Sequence, residues 1–68
     1  MVILNCVKST YSIRIHQIKL NKFLVNKTLA NGQILTWRFT SLSVAFRFAH
    51  FLGVPQKLIN QNQLSLFK

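Results

Sequence analysis

Phe23-Leu24-Val25-Asn26-Lys27-Thr28-Leu29-Ala30-Asn31-Gly32-Gln33-Ile34-Leu35-Thr36-Trp37-Arg38-Phe39 sets two alternating runs, residues 23–29 and 34–39, on either side of an Asn-Gly pair. Such a pair between apolar alternating runs is the strongest short-range signal for a β-hairpin. Two registers compete. A two-residue loop pairs Val25 with Arg38 and Asn26 with Trp37, mixing polar and apolar side chains on both faces. A three-residue loop, Ala30-Asn31-Gly32 with the glycine left-handed, pairs Phe23 with Phe39, Val25 with Trp37, Asn26 with Thr36 and Leu24 with Arg38. One residue of slip turns every side chain to the other face, so the register that segregates the faces is expected. That is the three-residue loop.

Upstream, Tyr11-Ser12-Ile13-Arg14-Ile15-His16 alternates strictly, with Tyr11, Ile13 and Ile15 on one face and Ser12, Arg14 and His16 on the other. Ile18 and Leu20 continue the alternation in the opposite phase, which predicts a bulge or break near His16-Gln17. Lys19, Asn21 and Lys22 read as an exposed connection. Residues 2–7 are apolar and β-rich, and Lys8-Ser9-Thr10 offers a turn.

Downstream, residues 41–52 read as a helix. Thr40 or Ser41 supplies the cap, Gly53 the left-handed terminating position, and Pro55 prevents continuation. Leu42, Ala45, Phe46, Ala49 and Leu52 form one apolar stripe, and Val44, Phe48 and Phe51 a second beside it. Ser43, Arg47 and His50 make the polar strip. This apolar arc is wider than a helix lying on a small sheet needs. One side is expected on the sheet; the other is left for the C-terminal tail, a second copy or a partner.

After residue 55 no period dominates the apolar positions Leu58, Ile59, Leu64, Leu66 and Phe67. The stretch is expected to be a short helix begun by Pro55 or a final extended piece. The fold class is therefore α+β: a small antiparallel sheet of three to four strands packed against one main helix. Residues 1–54 form a single basic domain and residues 55–68 a C-terminal extension.

Composition narrows the function. The 68 residues hold nine lysines and arginines and no aspartate or glutamate, a formal charge of +9. No side-chain salt bridge is available, and like-charge repulsion works against compaction. A polyanionic partner resolves both. Half of the residues are apolar, with six phenylalanines, one tryptophan and one tyrosine, so a small core is within reach and a disordered basic tail is not the reading.

Catalysis lacks an inventory: of the usual acid–base groups only His16, His50, Cys6 and Tyr11 are present, with no motif around them, and the chain is read as a non-enzyme. One cysteine and two isolated histidines have no metal-ligand spacing, and both glycines are explained by backbone geometry, so no metal or cofactor is expected. Cys6 reads as a small core residue, and its solitude fits an intracellular, reducing compartment such as cytoplasm, nucleoid or organelle matrix. The longest apolar stretch, residues 39–54, contains Arg47 and His50 and is shorter than the ~20 residues a spanning helix needs, so no transmembrane segment is expected. The apolar N-terminal stretch is too short for a signal-peptide core.

In the chosen register the sheet face away from the core carries Ser12, Arg14, Asn26, Thr28, Thr36 and Arg38, joined by His16. Arginines grip phosphate or guanine in bidentate fashion, and small hydroxyls and amides reach phosphates and base edges. Lys19, Lys22 and Lys27 are placed near the loops, against flanking phosphates. Trp37 and the strand phenylalanines are assigned to the core before any stacking role. The helix residues Phe48, Phe51 and Arg47 form the candidate partner-facing set, with a homodimer through the helix as one arrangement; Arg47 and His50 also read as a solubilising strip.

Residues 29–53, an aromatic-ended strand followed by Thr40-Ser41-Leu42 and an alanine-bearing helix, resemble in outline two families. These are the arm-type DNA-binding domains of tyrosine recombinases and the plant ethylene-response DNA-binding domains. The resemblance implies a three-stranded antiparallel sheet, one packed helix and DNA as ligand. It carries no residue roles.

Three functions follow, in order. The first is a small protein that binds nucleic acid, DNA or RNA, alone or within a nucleoprotein assembly. The second is a protein-docking subunit or phage-type inhibitor of a nucleic-acid-handling complex. The third is a peripheral component of a membrane or organellar complex, favoured by a positive mean hydropathy but not by the spread of cations along the chain.

Overall fold

The computed structural model describes residues 1–66, with side chains to residue 61. Strands β1 (Val2–Val7), β2 (Tyr11–Lys19), β3 (Lys22–Leu29) and β4 (Ile34–Phe39) are followed by helices α1 (Leu42–Leu52) and α2 (Gln56–Leu66). The strands form one antiparallel meander in the order β1-β2-β3-β4.

The hairpin between β3 and β4 takes the three-residue loop. Phe23 faces Phe39, Leu24 faces Arg38, Val25 faces Trp37 and Asn26 faces Thr36. The Leu29 N–H donates to Gln33 O and the Gly32 N–H to Leu29 O, while Asn31 Oδ1 accepts from the Gln33 N–H. Gly32 has φ +90°, a left-handed conformation that favours glycine. The phase change in β2 is also present, as a register shift between Gln17 and Lys19. A second shift falls between Val2 and Leu4, where β1 meets β2.

Alternation builds the core. Leu4, Cys6, Ile13, Ile15, Phe23 and Val25 point to one side of the sheet and meet Ala45, Phe46 and Ala49 of α1. Ile13, Ile15 and Val25 are wholly buried. Ser41 is the N-cap, but its hydroxyl pairs with that of Ser43 instead of capping the helix. The C-terminus of α1 is a Schellman motif: the Gly53 N–H bonds His50 O, and the Val54 N–H bonds Ala49 O. Gly53 has φ +128°, and a Cβ there would run into the Tyr11 hydroxyl. The motif thus turns the chain over the start of β2 and drops Val54 into the core.

The stretch read as an extension is helical over Gln56–Leu66. Pro55 serves as its first acceptor, taking bonds from the Leu58 and Ile59 N–H groups. Ile59 enters the same core as the strands, and α2 contacts both β1 and α1. The side chains of Leu64 and Leu66, and all of Phe67 and Lys68, lie outside the described residues. No helix among the described residues is long and apolar enough to cross a membrane.

Candidate nucleic-acid interface

Both helices pack on one side of the sheet, so the other face is open. The pairings arrange it as three rows running across all four strands. One row reads Val7, Ser12, Thr28, Ile34; the next reads Asn5, Arg14, Asn26, Thr36; the third reads Val2, His16, Leu24, Arg38. Each face residue expected from the sequence stands here. Arg14 lies near the middle and Arg38 at the β4 edge of the third row.

Arg14 is oriented by its neighbour. Its Nε donates to Asn5 Oδ1 at 3.3 Å, which tethers the guanidinium through one nitrogen. The two terminal nitrogens have no protein partner among the described residues, so the bidentate edge is available to an anion. Asn5 escaped the sequence reading, although strand alternation contains it: Leu4 and Cys6 are core residues, and Asn5 between them must face outward. Beside Arg14, Asn26 Oδ1 is buried without a hydrogen-bond partner. An unsatisfied buried oxygen costs stability, and a donor brought by a ligand would relieve it.

Lys19 and Lys22 close the β2–β3 hairpin as directly facing partners. Like charges opposite each other destabilise a strand pair. Around the same end of the sheet stand Ile18, Leu24, Arg38 and Thr40, which with the two lysines, Phe23 and Phe39 line a hollow of about 440 Å³. Three of the nine cations therefore gather at one end of the open face.

Lys27 stands elsewhere. It pairs with Ile13 and Leu35 on the helix-bearing side, half-buried, with Nζ 4.6 Å from the centroid of the Tyr11 ring. Phe23, Val25 and Lys27 share one parity along β3, so the alternation that buries the first two turns Lys27 away from the open face. Its charge is held by a cation–π contact.

The helix residues divide as well. Phe48 packs at 4.9 Å from Trp37 and 5.2 Å from Phe39, and Phe51 stacks on Phe48 at 6.2 Å, 81% exposed. These two lie on the β4 flank. Arg47 instead lines a hollow of about 230 Å³ with Ser43, Phe46, Gln56 and Ile59, toward α2. His50 uses Nδ1 to bond Val54 O at 2.9 Å; a carbonyl only accepts, so the proton sits on Nδ1.

Nothing in this arrangement supplies a catalytic constellation among the described residues. Cys6 is buried and free, and no group of three metal-ligating side chains is found there. What the open face can do is present cations and small polar groups to a broad ligand. The chain matches no protein-family model, no curated protein and no solved structure.

Proposed function

We propose that the open face of the sheet binds the sugar-phosphate backbone of nucleic acid, without a chemical step. The carrying observation is that Arg14, Arg38, Lys19 and Lys22 share one face or its rim in a chain with no side-chain carboxylate. Arg14 and Arg38 hold phosphates, while Lys19 and Lys22 add charge at the hairpin end. Ser12, Thr28 and Thr36 offer hydroxyls, and His16 and Asn26 offer polar groups between the arginines. Counterion release supplies most of the affinity, so binding weakens steeply with salt.

The test is the salt dependence of oligonucleotide binding by the wild-type chain and by the Arg14→Gln/Arg38→Gln double variant. Each lost phosphate contact lowers the log–log salt slope by ~0.7 to 0.9, so the double variant is expected to lose about 1.4 to 1.8. Affinity that does not change with salt would sink the proposal. So would a purified chain that carries no nucleic acid and binds one polypeptide stoichiometrically; that result favours docking through Phe48, Phe51 and Arg47.

A further inference from the structure

The hollow at the β2–β3 end of the open face differs chemically from the rest of that face. Beside Lys19, Lys22 and Arg38, it is lined by the apolar side chains of Ile18 and Leu24, with Phe23 and Phe39 from the helix-bearing side. Ile18 is 55% exposed, whereas the other two isoleucines of the strand, Ile13 and Ile15, are fully buried. The change of phase after Gln17 is what brings it there. Folding explains neither the aliphatic patch nor the two facing lysines, since one exposes apolar surface and the other sets like charges together.

A ligand with an apolar body and anionic groups on both sides satisfies both features. A second copy of this chain cannot, because it carries the same +9 charge and no side-chain carboxylate. An unpaired nucleotide can. Its base offers an apolar π-face to Ile18 and Leu24, and its flanking phosphates meet Lys19 and Lys22 on one side and Arg38 on the other. The volume, about 440 Å³, falls within the ~300–1,000 Å³ typical of small-ligand sites. A duplex keeps its base faces stacked inside and offers only edges and phosphates, so no base π-face reaches the aliphatic surface.

We infer that this hollow receives one unstacked base of a single-stranded nucleic acid, giving the open face a preference for single strands over duplex. The inference rests on the reading of that face as a polyanion-binding surface. The base is read by shape and apolar contact, with the Thr40 hydroxyl as the one uncharged polar side chain among the lining residues. Little sequence preference is therefore expected.

Leu24→Thr and Ile18→Thr remove the aliphatic surface, keep the charge and suit a strand. Binding of the full chain to a fluorescent homopyrimidine strand and to the matching duplex is measured by anisotropy, with the fold of each variant checked by circular dichroism. Loss of the base contact is expected to weaken single-strand binding at least ~fivefold in either variant, the lower end for base stacking, and to leave duplex affinity and the salt slope unchanged. The wild-type chain should lose affinity to a similar extent for a strand bearing abasic sites, a readout independent of variant folding. Equal affinity for intact and abasic strands overturns the base pocket while salt-dependent binding keeps the open-face reading. Failure of the wild-type chain to bind either nucleic acid overturns both. Capture on phosphatidylglycerol vesicles that Leu24→Thr abolishes, with single-strand affinity unchanged, overturns the base pocket in favour of a lipid anion.

Discussion

The two faces of this sheet are made from alternate residues of the same four strands, and they answer to different physics. On the helix-bearing face, Leu4, Ile15 and Val25 are excluded from water and Trp37 closes the row. One step along each strand, Asn5, Arg14, Asn26 and Thr36 form the neighbouring row on the open face, with a buried oxygen left unsatisfied. Burial constrains the first face tightly because the chain has little stability to spare. The second face contributes none of the buried core residues, so its composition is less constrained by packing.

The contrast breaks most sharply at two adjacent residues. Ile15→Ala is expected to cost about 2 to 5 kcal/mol, as large-to-small changes in packed cores do. A single core of this size rarely supplies more than about 3 to 5 kcal/mol, so the variant should be largely unfolded in urea titrations followed by circular dichroism. Arg14→Gln, one residue away, should shift the same transition by no more than about 0.5 kcal/mol. A stable Ile15→Ala chain would show that the faces are not divided in this way.

The next largest effect lies where α1 meets the start of β2. Gly53→Ala combines a left-handed backbone with a collision against the Tyr11 hydroxyl, and about 1 to 3 kcal/mol of destabilisation is expected. The urea midpoint measures it, and an unchanged midpoint would mean that the Schellman turn adjusts freely. The smallest effect has the opposite sign. Asn26→Val, on the open face, removes the orphaned oxygen from a strand position suited to valine and should stabilise the chain by about 1 kcal/mol. The same variant should bind nucleic acid less well if the amide serves the ligand. Stabilisation with full affinity would separate Asn26 from the site.

Local signals carried the sequence reading furthest. The Asn-Gly loop and the sorting of Phe23, Val25, Trp37 and Phe39 from Asn26, Thr36 and Arg38 decide the register within one hairpin. Gly53 and Pro55 end α1 by their own backbone preferences. Helix α2 stood only as one of two alternatives, because its apolar spacing is irregular and it is held through Ile59 entering a core built by residues far away in the chain. Lys27 is a case where nearness to a loop says little: its parity in β3 sets it opposite Ile13 and Leu35, and parity decides which face a strand residue occupies. The division of Phe48 from Arg47 depends on where α2 lies, and the hollow at Ile18 on how far β2 slips after Gln17. Neither follows from a pattern in one segment.

The meander leaves β1 and β4 as open edges, and β1 carries no charged side chain. Unpaired edges invite strand addition from other molecules, and proteins commonly block them with a local lysine or proline. Here the barrier between copies is the mutual repulsion of whole molecules, which reaches only ~8 Å at physiological ionic strength. If the open face binds a polyanion as proposed, colloidal stability and ligand occupancy would be coupled through the same cations. On that reading, chains neutralised along a polyanion would lose this barrier, and the uncharged β1 edge would be the place where ordered self-assembly starts.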